Sequence, residues 1–300
     1  MYYFNVMKLP EDERYQPMPM DEITELENIA KEIRKNILIM CFHAGGGHIA
    51  PSLSSVEILV ALYFKILKID KNNLKDSNRD RFILSKGHAS AALYAVLAEK
   101  DIIDRKILNT FCQKGSILGG HPETHLIPGV EASTGSLGHG LSFGVGLAFA
   151  GKLDKKDYRA FILLSDGECQ EGSVWEAAMF ASHHKLDNLV AIIDHNKLQS
   201  LGRVDDIVSL KPFVDKWKAF GWGVREVNGH NIPEIVDALE GVPFSKNKPS
   251  VLIAHTIKGK GISFMENVPI WHYRLPNDDE MKIVCKELGI GESELGEVFK

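Results

Sequence analysis

Residues 160–197 read AFILLSDGECQEGSVWEAAMFASHHKLDNLVAIIDHNK, and the order of their parts decides the fold. Two short apolar runs, AFILLS and LVAIID, flank a stretch from about 171 to 185 with helical spacing. Neither run alternates apolar with polar residues. A strand that is apolar throughout is buried on both faces, the habit of a parallel sheet covered by helices above and below. The same strand, helix, strand order returns at 223–256, where GVREVN and SVLIAHT read as strands bounded by turn residues. The expected class is α/β, a parallel sheet with helices on both faces.

Outward from this unit, Ile23, Leu26, Ile29, Ile33, Ile37 and Met40 recur at steps of three and four. They predict an amphipathic helix with Asp21 as N-cap, ending at HAGGGH. Further helices are expected at about 54–68 and 89–100. The block GHGLSFGVGLAFA, from Gly138 to Ala150, has no polar stripe and is rich in glycine, so another element or subunit is expected to cover it. Residues 1–20 are too charged and proline-rich for a signal peptide and read as an extended arm. Residues 21–300 are expected to form one domain, whose tail DDEMKIVCKELGIGESELGEVFK reads as a final helix and an end.

The 300 residues are 44% hydrophobic and 25% charged, an ordinary globular composition. A net charge of −5 without a basic stripe argues against nucleic acid. No apolar run approaches the ~18 residues of a membrane span. Cys41, Cys112, Cys169 and Cys285 are widely spaced with no C-x-x-C, which argues against a zinc knot or disulfide framework and fits a reducing cytoplasm.

In a parallel sheet, ligands sit at the carboxyl ends of the strands. Asp166 follows one strand and Asn196 its neighbour, so a carboxylate and an amide oxygen meet there, where a loop carbonyl can join them. Such hard oxygens suit a divalent cation that completes its shell with phosphate and water. A helix start near Gly172 and the N–H of Gly167 favour a diphosphate nearby. Taken alone, an Asp-Gly pair at a strand end serves equally well as a helix cap, and Asn196 as a turn residue.

The spacing from SDG to HNK resembles the thiamine diphosphate signature in the form carried by transketolases. GGGHIAPSLSSVEIL, DRFILSKGHASAALYAVL, GGHPE, PGVEASTGSLGHGLSFGVGLA and TIKGKGISFMENVPIWH are similar to successive transketolase blocks, in the family's order, over roughly residues 40–275. The resemblance implies the thiamine diphosphate-binding fold and a two-carbon ketol transfer between a ketose and an aldose, often as phosphates, as in pentose phosphate chemistry. A related enzyme acting on a modified sugar is the alternative, and a cofactor-binding chain without catalysis is a remote one. It implies Mg²⁺ or Ca²⁺ on the side chains of Asp166 and Asn196 and the carbonyl of Leu198. Gly167, His88 and Lys258 would approach the diphosphate. The loop Gly135, Ser136, Leu137 and Gly138 would lie beside the cofactor's rings. His48 and His121 would hold donor hydroxyls, while His272 would assist proton transfer and contact the cofactor.

Glu171 matches the glutamate that reaches across a domain interface towards a second glutamate, which this chain does not contain. The resemblance therefore implies a split enzyme, in which this chain is the N-terminal subunit and the pyrimidine domain lies on a separate C-terminal subunit, together forming an α2β2 heterotetramer. Glu168 falls on the cofactor side of the motif, although its own setting reads as solvated or loop-structuring. Cys169 reads as a small loop filler. Trp217, Trp222 and Phe220 read as core, whereas Trp175 and Trp271 are candidates for an interface or the site mouth. His43, His125, His183, His184, His230 and His255 read as surface or core residues; His139 and His195 lie inside the motif blocks without an assigned role.

Three positions depart from the family pattern. Ser165 stands for the motif's first glycine, His195 for the Asp or Asn before Asn196, and Tyr273 for the glycine after His272. The tyrosine places a bulky ring beside His272 or in the acceptor channel.

Overall fold

The computed structural model describes residues 17–291, so most of the expected arm (1–16) and the tail from 292 lie outside the described residues. In chain order the elements are α1 (Met20–His43), α2 (Ile49–Leu53), α3 (Val56–Ala61), β1 (Arg81–Leu84), α4 (Ser90–Glu99), α5 (His139–Leu153), β2 (Ala160–Ser165) and α6 (Gly172–His183). Then follow β3 (Leu189–His195), α7 (Val204–Ile207), α8 (Phe213–Ala219), β4 (Gly223–Asn228), α9 (Ile232–Glu240), β5 (Ser250–His255) and α10 (Asp278–Leu288). The sheet order is β1-β2-β3-β5-β4, with every pair parallel.

Successive strand residues point to opposite faces, and here both faces are covered. Phe161, Leu163, Val190, Ile192 and Leu252 enter a core shared with α1, α3, α4 and α9. Ile162, Leu164, Ala191, Ile193 and Ile253 enter a second core with α5, α6 and α8. This two-sided burial is why the runs are apolar throughout. Each buried Phe, Leu, Val or Ile side chain among them contributes roughly 1.5–3 kcal/mol relative to exposure.

Three expectations about the elements are corrected. Helix α1 begins at Met20, its N-cap is Pro19 without a side-chain bond, and Asp21 sits instead in the first turn with Glu22. The helix expected at 54–68 starts two residues late, as α3, and finishes as a π-turn at Leu62–Ile66, with α2 a separate turn before it. Ser55 Oγ donates to the Ser52 carbonyl (3.1 Å), a hydroxyl bond that competes with a continuous helix from α2 into α3. Finally β1, a four-residue strand, extends the sheet beyond the four strands expected.

The aromatic residues are also sorted. Trp217 and Trp222 are buried. Trp175, half-buried, packs against them, its ring 5.1 Å from that of Trp217 and its N–H on the Cys169 carbonyl (2.9 Å). Trp271 is not at a mouth: it is 3% exposed, packed by Phe264 and covered by the Arg274 guanidinium. None of the four cysteines forms a disulfide. No helix of the described residues is long and apolar enough to cross a membrane.

Candidate functional site

Ser165 pairs with Asp194 in the β2–β3 register, so the residues just beyond them emerge together at the carboxyl edge. Ser165 ends β2 with its N–H on Glu168 Oε2 (3.1 Å), so serine serves where the motif has glycine. The loop after β3 folds back over Asp166: Lys197 N donates to Asp166 Oδ2 (2.6 Å), and Leu198 N to Asn196 Oδ1 (3.1 Å). His195 Nδ1 lies 3.1 Å from Asp166 Oδ2, and Gly167 N donates to Asp166 Oδ1 (2.7 Å). The Gly167 N–H expected to face a diphosphate is thus engaged with its neighbour.

Asp166 and Asn196 are 0% and 3% exposed. The Leu198 carbonyl accepts from Lys258 Nζ (3.0 Å), as does that of Gln199 (3.3 Å). This rim already holds a positive charge against backbone oxygen. Among the described residues no group of three or more His, Cys, Asp or Glu is placed to hold a metal ion. One carboxylate, one amide oxygen and one carbonyl nonetheless suit a hard cation that draws its remaining ligands from phosphate and water. The donor set fits Mg²⁺ or Ca²⁺.

Four histidines from four separate loops converge beside this rim. His48 is the N-cap of α2, His88 lies in the 3₁₀ turn Gly87–Ala89 after β1, and His272 ends the 3₁₀ turn Pro269–His272. Ring centroids separate His48 from His88 by 5.2 Å, from His272 by 5.3 Å and from His121 by 6.1 Å, and His88 lies 5.4 Å from His272. Burial pushes His48 down to about 4, helped by His121 and Lys258. Burial and Lys258 push His272 down to about 3, and burial and Lys86 hold His88 well below the usual histidine range. These three are neutral imidazoles at neutral pH, each able to donate one hydrogen bond and accept another.

Lys258 joins the histidines to the oxygen rim. Its Nζ lies 2.8 Å from His272 Nδ1. Burial, with Lys86 nearby, lowers Lys258 to about 8, so at neutral pH it is largely an ammonium and can only donate. His272 Nδ1 therefore accepts, and its Nε2 carries the ring proton.

Two groups that the motifs did not single out form the floor. Lys86 and Asp194, both fully buried, make an ion pair; Lys86 also donates to the Pro51 carbonyl (2.8 Å). Ser54 Oγ (2.6 Å), Thr256 Oγ1 and Asn196 Nδ2 (3.1 Å) donate to the same Asp194 carboxylate. Asp194 thereby orients the Asn196 amide. Burial alone would raise its carboxyl, but Lys86 and the hydroxyls hold it below the usual range. Both residues lie two positions before a motif residue, His88 and Asn196, which was the signal available in the sequence.

The remaining candidates line the approach. A Cβ on Gly87 would lie 2.7 Å from Gly135 N, and one on Gly135 2.9 Å from His121 Cδ2, so the SKGH, TGSLG and GGHPE loops touch. Gly138, at φ 83°, adopts a left-handed conformation that would strain any side chain, and it lies against Glu171. Ser136 and Glu171 are exposed, and Leu137 is half-buried. Of the two readings of Glu168, the loop-structuring one holds and the solvated one is corrected: it is fully buried and accepts from Ser85 Oγ, Gly138 N (2.9 Å) and Ser165 N (3.1 Å). It latches three segments together, although burial still raises its carboxyl. Cys169 is a buried filler whose thiol is pushed up by burial. His230 is a satisfied core residue: its Nε2 accepts from Ile257 N (2.8 Å), which puts the proton on Nδ1, facing Glu57 Oε2 (3.0 Å). His139 is exposed and stands apart from the four.

Comparison with known proteins gives consistent matches. The family "Transketolase, thiamine diphosphate binding domain" matches residues 26–298. A Phocaeicola vulgatus protein, named as one subunit of an apulose-4-phosphate transketolase, is 44% identical over 267 residues, 89% of this chain and 95% of that one. The 6-deoxy-6-sulfo-D-fructose transketolase subunit SqwG of a Clostridium species is 42% identical over 264 residues, 88% and 96% of the two chains. Among solved structures, a Pichia stipitis transketolase in complex with sedoheptulose 7-phosphate superposes with a TM-score of 0.83 at 29% identity. That match covers 91% of this chain but 42% of the yeast enzyme.

Proposed function

The chain belongs to the transketolase family, and on that premise we propose that it is the diphosphate-binding subunit of a two-chain enzyme that moves a two-carbon ketol unit from a ketose to an aldose. The observation that carries this reading is the cluster of histidines, lying within 6.1 Å of His48, joined through Lys258 to the oxygen rim. Asp166, Asn196 and the Leu198 carbonyl would hold Mg²⁺ or Ca²⁺. Lys258 and His88 would face the diphosphate, with Gly135, Ser136 and Leu137 beside the cofactor's rings and Glu168 fixing that loop from behind. Thiamine diphosphate, when bound, supplies the nucleophilic carbon that allows a bond next to a carbonyl to break and re-form.

This chain's own residues would bind and orient the sugar. The neutral imidazole of His48, together with His121, would pair with donor hydroxyls, and the Nε2 proton of His272 is available to a sugar oxygen, since Nδ1 is occupied by Lys258.

Glu171 is exposed at the start of α6, and the neighbouring surface of α5 and α6 carries Phe143, Met179 and Phe180, 49%, 56% and 41% exposed. A C-terminal subunit with the pyrimidine domain would cover this face, in an α2β2 assembly in the cytoplasm. The relatives are named for apulose 4-phosphate and for 6-deoxy-6-sulfo-D-fructose, which favours a modified sugar over a common ketose phosphate as the physiological substrate. Asp166→Ala tests the reading. The variant should keep the wild-type circular dichroism but lose thiamine diphosphate binding by calorimetry and ketol transfer with the partner; full activity would overturn it.

A further inference from the structure

A fifth aromatic ring stands over His48, and the scheme above gives it no role. Tyr273 follows the 3₁₀ turn Pro269–His272, and its ring meets that of His48 edge-on, centroids 4.8 Å apart and planes at 68°. No histidine of the cluster approaches His48 as closely. The phenol oxygen lies where a side chain on Gly46 would project, since a Cβ there would come within 3.1 Å of it. The glycine leaves the space and the tyrosine fills it. Tyr273 is nevertheless 58% exposed, whereas His48 and His272 are half-buried. The ring is seated at its inner edge and open to solvent at its outer one, which is the position of a wall beside the entrance to the histidines.

We propose that Tyr273 is a specificity-determining residue of the sugar site: seated between His48 and Gly46, its ring occupies room that a longer sugar chain would need, so the site prefers short or compact ketoses. The inference rests on the reading that the histidines hold a sugar. Because the hydroxyl is turned against Gly46, the bulk of the ring does the selecting rather than a hydrogen bond.

The test uses Tyr273→Gly and Tyr273→Phe in the complex with the partner subunit, with thiamine diphosphate and Mg²⁺. The ratio of kcat/KM for sedoheptulose 7-phosphate over xylulose 5-phosphate is measured with one aldose acceptor. Making room for one or two carbons in a pocket is worth on the order of tenfold or more. Tyr273→Gly should raise the ratio by about that factor, while Tyr273→Phe should leave it within about twofold. An unchanged ratio in Tyr273→Gly overturns the inference, and so does an equal rise in both variants. If the wild-type complex binds both sugars by calorimetry without turning them over, the ketol-transfer reading fails, and the ratio of the two dissociation constants still decides the role of Tyr273. Binding of neither sugar, nor of apulose 4-phosphate or 6-deoxy-6-sulfo-D-fructose, overturns both.

Discussion

Lys86 and Asp194 are the residues on which the rest of the site stands. Each is fully buried and each is charged against the other, so removing one leaves an uncompensated charge in the core. Lys86→Met should cost about 3–5 kcal/mol in urea unfolding; a cost under about 1 kcal/mol, the range of an exposed pair, would contradict the buried-pair account. The histidines predict a pH dependence. His48 and His272 titrate at about 4 and about 3 in the folded chain, below the ordinary histidine value of 6.5. Between those values the unfolded chain binds protons that the folded chain refuses, so stability is full above pH 6.5 and declines as pH falls through this window. The double variant His48→Gln, His272→Gln should lose less melting temperature between pH 7 and pH 4.5 than the wild type; equal losses would refute the assignment. Asp166, Asn196 and the four histidines were legible because they sit in recognisable blocks. Lys86 and Asp194 lay in the same blocks and were passed over, since a charged residue at a strand end looks like a solvated flank until the fold buries it. Tyr273 was legible as a departure, but its contact with His48 and Gly46 depends on loops 227 residues apart in sequence, by the difference between 273 and 46.

The elements carry their reasons more openly. β2 and β3 were readable because both their faces are buried, which leaves no polar alternation. β1 was hidden because Arg81–Leu84 is too short to show any period. The helix expected at 54–68 is present over 56–66, starting two residues late where the Ser55 hydroxyl bonds back to the chain, a competition that an apolar count does not see. The close approach expected of the α5 glycines holds at Gly140, Gly144 and Gly151, whereas Gly146 faces open space. Gly144 lies so near Ile162 that a Cβ would overlap the isoleucine's terminal methyl. Gly144→Val should therefore lower unfolding stability by roughly 1–3 kcal/mol through overpacking, measured by chemical denaturation; a neutral result would mean that α5 can move away from the sheet.

The molecule as a whole presents part of an active site at an edge. The oxygen rim and the histidines are built from segments spread between His48 and His272, tied by Lys86, Asp194, Glu168 and Lys258 into one bonded network. Glu171 and the apolar faces of α5 and α6 point outward from that network, and the chain spans 42% of the solved yeast enzyme. On this account the cofactor's diphosphate is held here and its other end by the partner subunit. The most direct test measures ketol transfer from xylulose 5-phosphate, and from the sugars named for the relatives, by this chain alone and by this chain with the C-terminal subunit, each with thiamine diphosphate and Mg²⁺. The account predicts cofactor binding but no turnover by the chain alone, and turnover when both subunits are present. Full turnover by the chain alone, or none by the pair on any of these sugars, would contradict it.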